Sequence, residues 1–424
     1  MMAKFFTYPG KVNMMVTLCL IHTMVILLMY ILLGHLGMIS FKPTNTNVVR
    51  WDVFFHQSIK DYGYIYVPRS TCNLAFFPLF PILWKILNVS PLIMCLFNYV
   101  LFLFSFTILL HKEKLHPGIV LFLLSIPSFI FFALPYSESL FFLFAALLLK
   151  GYKEQSTFYI VIALFCVSMV KSVSVIIIPA ILIVELMTYS RNKRWFYGLL
   201  LKLSATVLGL MLSVLLQVYQ TGKWFYFIEV QQYWNRHWIV PGFPLTTISP
   251  ERILALDGIA FIIGIMAIAY CLHQAYLYGN AFLIKKNWTE KHPEVLFSAL
   301  FLSATVILDT IFTYNVDGAG NLWSMNRHLL CTPFFVVFIV FFLTNPVQHL
   351  WIKICLFVTL TSGLYITGVF NYPWMTAYYC VFMLSLVVIK LFPRSYYYLI
   401  PVYGGNMMIQ LFYFQSFTEN QWIG

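Results

Sequence analysis

Arg50, Trp51 and Asp52 stand together just after a long apolar run, and His56 follows one helical turn later. A carboxylate held that close to lipid can act as a general base, taking the proton of a hydroxyl nucleophile. It can equally be a surface acid that pairs with Arg50 or sits at a helix N-terminus, where negative charge is favoured. Further along, Glu138 and Lys171 lie between short apolar segments, and Arg327 heads another. Ionisable residues inside membrane segments are functional candidates by default. Lys171 could instead simply pair with Glu138, and Arg327 could snorkel to lipid headgroups. Arg50, Arg69, Lys171, Arg236 and Arg327 are all cations able to meet charge that develops on a leaving group. The stretch from Glu229 to Trp238 interleaves Gln232, Trp234, Asn235 and Arg236 with further aromatics. That mixture suits sugar binding, with rings stacking on sugar faces and amides bonding hydroxyls, and it suits an interfacial aromatic belt equally. Asp309 is a further acid, and Asp317–Gly318 reads as a turn.

The elements that must hold these residues are membrane spans. Of the 424 residues, 61% are hydrophobic and 9% charged, and the mean hydropathy is +0.84. A soluble domain carries about 25% charged residues, so too little polar surface exists here to cover a water-soluble protein of this size. The net charge of +12 would suggest nucleic acid only if it lay on a soluble basic module, and none is present. The eight cysteines show no CxxC or Cys/His spacing, which argues against a zinc or redox centre. No metal and no cofactor are expected. The N-terminal run is too long for a signal-peptide core and resembles a retained signal anchor.

Taking about 20 apolar residues per crossing, spans are expected near 12–36, 91–110, 119–134, 138–150, 156–171, 172–189, 196–219, 255–280, 295–314, 327–344, 350–370, 375–392 and 398–416, about thirteen in all. Several runs between 119 and 189 are short, and tilted spans or re-entrant halves both fit them. With every span counted, the loops bearing Lys4 and Lys11, Lys112 and Lys114, Lys150 and Lys153, Arg191 to Arg194, Lys285 and Lys286, Lys353 and Arg394 share one side, which should be cytoplasmic. The opposite side receives long segments near 37–90 and 220–254 and a shorter one near 315–326, too apolar for disorder. The whole chain, 1–424, reads as a single membrane domain without tandem repeats. In the first long segment, Trp51 to Ile59 predicts a helix at the membrane surface, with Asp52, Phe55, His56 and Ile59 on one face. Asp61–Tyr62–Gly63 ends it. Ala75 to Pro81 is apolar but contains two prolines, which favours a helical hairpin dipping into the interface over a full span.

Arg50–Trp51–Asp52, His56, Tyr62–Gly63–Tyr64 and Ala75–Phe76–Phe77–Pro78–Leu79–Phe80–Pro81 resemble the opening signature of the GPI mannosyltransferase 2 (PIG-V) family, which includes bacterial homologues. Pro135–Tyr136–Ser137–Glu138–Ser139–Leu140 resembles that family's PYSE motif. Ser324–Met325–Asn326–Arg327–His328, leading to Pro333, is similar to a third stretch, and the order holds across most of the chain. The chain has Lys171 where the family usually has an arginine, which keeps the charge but loses the bidentate fork. It also lacks the long insertions of the eukaryotic enzymes.

The resemblance implies an all-α polytopic GT-C-type bundle and an inverting glycosyltransferase. Such an enzyme moves a sugar, mannose above all, from a polyprenyl- or dolichyl-phosphate donor to a glycolipid or glycan acceptor on the extracytoplasmic or lumenal face. Asp52 occupies the place of the family's base. Arg327, Lys171, Arg50, Arg236 and Glu138 would contact donor phosphate or sugar. His56, Tyr136, Gln232, Trp234 and Asn235 would contact acceptor or sugar. A bacterial plasma membrane is favoured by the chain's compactness, with the endoplasmic reticulum as the alternative. Membrane lipid and the two substrates are the expected partners. A flippase or transporter of lipid-linked saccharides predicts inverted repeats and midplane sites, and no internal repeat is visible. A non-catalytic scaffold of a glycosylation complex would tolerate loss of Asp52.

Overall fold

The computed structural model describes residues 11–188, 193–245, 251–283, 290–314, 322–345, 359–391, 396 and 398–423. Lys4, Arg191, Lys285, Lys286, Asp317, Lys353 and Arg394 lie outside these, as do most of the expected loop near 315–326 and the first part of the expected span near 350–370. The described chain is almost wholly helical: α1 (Lys11–His35), α2 (Asp52–Tyr62), α3 (Leu79–Leu87), α4 (Pro91–Leu110), α5 (Pro117–Leu124), α6 (Glu138–Glu154), α7 (Thr157–Val170), α8 (Ser174–Met187), α9 (Lys193–Thr221), α10 (Tyr226–Glu229), α11 (Glu251–Leu283), α12 (Pro293–Ile311), α13 (Pro333–Thr344), α14 (Pro373–Leu391) and α15 (Leu399–Thr418). One addition was not expected. Strands β1 (Arg236–Trp238) and β2 (Phe312–Tyr314) pair antiparallel, with Arg236 opposite Tyr314, and tie the loop after α10 to the end of α12.

Among the described residues, five helices are long and apolar enough to cross a membrane: Met14–His35, Pro91–Leu110, Arg194–Thr221, Ala255–Ala281 and Pro293–Ile311. The chain is therefore an all-α membrane protein. A sixth crossing is reached only if the 3-10 segment Pro127–Ala133 and α6, bent by 103°, count as one. Helices α7, α8 and α13 and the stretch Pro373–Ile389 of α14 are apolar but shorter. The expectation of about thirteen full crossings therefore exceeds what the helix lengths among the described residues provide.

Proline explains the shortfall near 119–150. It disfavours helical backbone in the residue before it, and Ile126, before Pro127, is extended at ψ 124°, as is Leu134, before Pro135, at ψ 159°. The expected span near 119–134 thus divides into α5 and the 3-10 segment. Broken backbone in a membrane needs partners for its polar groups, and buried amides supply them. Asn98 of α4 donates to the Leu134 and Tyr136 carbonyls at 2.7 and 2.9 Å. Gln410 of α15 donates to those of Leu124 and Ile126 at 3.2 and 2.8 Å, and Asn406 donates to the Ser125 hydroxyl. These bonds hold open the corner from which Tyr136 and Glu138 emerge.

The first long segment folds much as its pattern predicts. Helix α2 buries Val53, His56 and Ile59, while Phe54 and Tyr62 face outward. Phe55, expected on the inner face, is only half-buried. Gly63 ends α2 at φ 80°, its N–H bonded to the Ile59 carbonyl at 2.9 Å. Positive φ there favours glycine. Asn73 then clamps the turn, accepting from the Ile65 N–H and donating to the Gly63 carbonyl and Ser58 hydroxyl. Gln217 of α9 donates to the Leu74 and Phe76 carbonyls. Helix α3 packs on α2, and Trp84, fully buried, seals the contact.

Candidate functional site

Asp52 occupies the first turn of α2, where the helix dipole favours a carboxylate, and Trp51 before it is held at φ 52°. That left-handed backbone is strained for an indole-bearing residue, the kind of local cost that clusters at functional sites. Glu138 opens α6, and Lys171 follows the last residue of α7. Arg327 was expected at the head of the span near 327–344. It lies instead in a separate π-helical turn, Asn326–Leu330, and α13 begins only at Pro333.

These four side chains, drawn from four places in the chain, meet in one network. Arg327 donates through Nη1 to Asp52 Oδ2 at 2.7 Å and through Nε to Glu138 Oε1 at 2.6 Å. Lys171 Nζ donates to the same Glu138 oxygen at 3.0 Å. The Lys171–Glu138 pair considered from the sequence is real, but it belongs to a larger centre. Snorkelling by Arg327 is ruled out by its burial, at 7% exposure. Two carboxylates and two ring faces replace water around it: its guanidinium carbon lies 4.3 Å from the centroid of the Tyr136 ring and 5.2 Å from that of Phe131. Such cation–π contacts gain strength when desolvated.

The π turn that presents Arg327 is itself anchored. Asp257 of α11, fully buried, accepts from the Asn326 backbone N–H at 2.9 Å and from its side-chain amide N–H at 2.7 Å, and the Ser128 hydroxyl donates to the side-chain Oδ1 of Asn326. On its other side, His328 Nδ1 pairs with Asp309 Oδ2 of α12 at 2.9 Å. Sequence reading passed over Asp257, although an acid inside an apolar run was the available signal.

Several expected site residues have other places. Tyr136, expected to touch acceptor or sugar, is fully buried beneath Arg327, because the Asn98-pinned corner turns it inward. His56, 2% exposed, lies edge-on between Phe76 and Phe80, with ring centroids 5.0 Å away on each side. Burial lowers its pKa to about 4, against the opposing pull of the Asp52 and Glu138 charges, so the ring is neutral at pH 7. Its Nδ1 is buried without a partner, as are Glu138 Oε2 and Arg50 Nε. Arg50 makes no ion pair with Asp52, since Arg327 takes that role. Arg69 is exposed at φ 54°, and Arg236 is held in β1. Gln232 and Asn235 are exposed, Asn235 bonding His237. Trp234 packs on Phe55 and Phe76.

Chemically, the centre holds two carboxylates and two cations close to charge balance, in surroundings where water is scarce. Electrostatic interactions strengthen there, and removing any one member leaves an uncompensated charge. Asp52, with 16% of its side chain exposed, is the more open acid, and Glu138 is fully enclosed. Comparison of the chain with protein-family models, with curated protein sequences and with solved structures returns no match in any of the three.

Proposed function

We propose that the chain is an inverting glycosyltransferase that moves a sugar, mannose by the motif resemblance, from a polyprenyl- or dolichyl-phosphate carrier to a hydroxyl of a glycolipid or glycan. The observation that carries this reading is the Arg327 bridge. It places a solvent-reachable carboxylate, Asp52, beside Arg327, which Glu138 links in turn to a second cation, Lys171, in a membrane protein. Those are the parts the reaction needs.

In the proposed step, the acceptor hydroxyl oxygen attacks the anomeric carbon from the face opposite the phosphate. Its proton passes to Asp52. The bond from the anomeric carbon to the phosphate oxygen breaks, and the phosphate keeps the electron pair. The charge it gains is met by Arg327 and Lys171, cations pre-placed where the charge develops. Arg327 begins the reaction bonded to Asp52, so a donor phosphate competes with Asp52 for the guanidinium and frees the carboxylate to act as base. Glu138 keeps Arg327 and Lys171 in place. The GT-C-type bundle of about thirteen crossings, the extracytoplasmic placing of the centre and a bacterial plasma membrane belong to this same reading.

The test is transfer of labelled mannose from a polyprenyl-phosphate donor by purified protein, with Asp52→Asn alongside. Transfer by wild type and its loss in the variant are expected. Full activity in the variant would remove Asp52 as base, and no transfer by wild type across several donors and acceptors would remove the enzyme reading.

A further inference from the structure

Three tryptophans gather beside the charged centre, each from a different part of the chain. Trp51 immediately precedes Asp52, and Trp323 precedes the turn that carries Arg327. Trp422 comes from the segment Glu419–Ile423, which follows α15 and folds back against the bundle. The ring centroids of Trp51 and Trp422 are 5.1 Å apart, and those of Trp323 and Trp422 are 5.6 Å apart. Trp422 therefore joins the segment holding the proposed base to the segment holding the bridging arginine. Farther up α15, Phe417 touches the Tyr136 ring that supports Arg327.

The cluster has features that simple packing leaves unexplained. Its rings meet at 74° and 56°, the edge-to-face or tilted contact that packed aromatics ordinarily make, yet Trp51 keeps 40% of its surface open. The Trp422 indole N–H is buried without a hydrogen-bond partner, a cost that packing alone does not offset. Trp51 is held at a positive φ, and that strain fixes the indole next to Asp52. An acyl chain would fill such a site but offer no acceptor to the indole N–H. A hydroxylated ring supplies both needs: weakly positive C–H groups on one face dock on an aromatic π face, and its oxygens accept from N–H donors.

We propose that Trp51, Trp323 and Trp422 form an aromatic subsite for the pyranose ring of the glycosyl group, with Trp422 as the residue that positions it against Asp52. This subsite rests on the glycosyltransferase reading above and adds to it where the sugar, as distinct from the lipid phosphate, is held.

The experiment compares binding of two lipids to the purified full-length protein: polyprenyl phosphate, and polyprenyl phosphate carrying mannose. Wild type, Trp422→Ala, Trp422→Phe and Trp323→Ala are measured, each checked by its melting profile. Wild type is expected to bind the mannosyl lipid more tightly than the bare one. Trp422→Ala should weaken the mannosyl lipid about tenfold while leaving the bare lipid nearly unchanged. Trp422→Phe, which keeps a ring but loses the N–H, should fall between. A purely structural tryptophan would weaken both lipids together, and that result overturns the subsite, as does unchanged binding of both. Equal affinity of wild type for the two lipids also overturns it, yet leaves the lipid-phosphate reading standing. Binding of neither lipid by wild type removes the glycosyltransferase reading, and the subsite with it. If Trp422→Ala fails to fold, Trp422→Phe and Trp323→Ala carry the same comparison.

Discussion

Helix α6 carries Glu138 in its first turn and Glu154 near its end, about 24 Å apart along the axis, and the two acids live under opposite conditions. Glu154 pairs with Lys112, and close by Lys153 pairs with Glu113. Lys112 and Lys153 are largely exposed, at 57% and 45% of their side chains. These pairs border a cavity of about 200 Å³ that Lys150 and His292 also line. Glu138 has no exposure at all and serves two cations at once. The same residue types thus build a dispensable rim at one end of the helix and a costly centre at the other. Charge that could have been left in water was instead buried, paired from remote segments and braced by Asp257, Tyr136 and Phe131. Buried ion networks seldom repay their desolvation in stability, so the difference between the ends makes the Glu138 end the candidate functional one.

Four measurements press on that difference. The largest effect is expected at Asp52. Asp52→Asn should lower sugar transfer by roughly 10²- to 10⁴-fold, the range of a lost general base. It should also bind bare polyprenyl phosphate more tightly than wild type, because Arg327 is released from its partner. Weaker phosphate binding in the variant would mean that Arg327 is not shared between base and donor.

Next comes Glu138→Ala, which leaves Lys171 without its carboxylate and the buried Arg327 with Asp52 alone. A loss of about 3–5 kcal/mol is expected, read as a drop in melting temperature in detergent. A loss no larger than that of an exposed pair would erase the contrast between the two ends.

The third concerns pH. Burial holds the His56 pKa near 4 in the folded protein, against an ordinary 6.5. Between these values the unfolded chain takes up a proton that the folded protein refuses. The His56 contribution to stability therefore falls as pH drops from 6.5 to 4 and levels off below, on the order of 3 kcal/mol in all. His56→Phe should show a shallower decline over that window, and identical profiles would mean that the histidine is not enclosed.

The smallest effect is expected at the other end. Lys112→Ala or Glu154→Ala should alter stability by less than about 1 kcal/mol and leave transfer unchanged, since exposed pairs are screened.

Much of the frame was legible beforehand because it depends on local chemistry. The apolar runs near 91–110, 196–219, 255–280 and 295–314 all form helices, and the amphipathic pattern after Trp51 forms α2, stopped at Gly63. The corner at Ile126 and Leu134 was written in Pro127 and Pro135, though reading the run by hydropathy alone merged it into a span. Strands β1 and β2 were not legible, because three-residue strands carry too few side chains for a period to show.

The site divides in the same way. Which residues could do chemistry is readable from residue type and neighbours: Asp52, Glu138, Lys171 and Arg327 stand out because charge next to apolar segments is expensive wherever it falls. The sequence by itself could not decide their partners. Arg327 pairs with Asp52 across 275 residues and with Glu138 across 189, while Arg50, two residues from Asp52, does not pair with it. Partner choice depends on how the helices cross and on where Asn98, Gln217 and Asp257 pin the chain between them. Hydropathy and periodicity are properties of a few consecutive residues, whereas burial and pairing are properties of the packed whole. Only tertiary structure could bring four scattered charges to one point and leave the fifth aside.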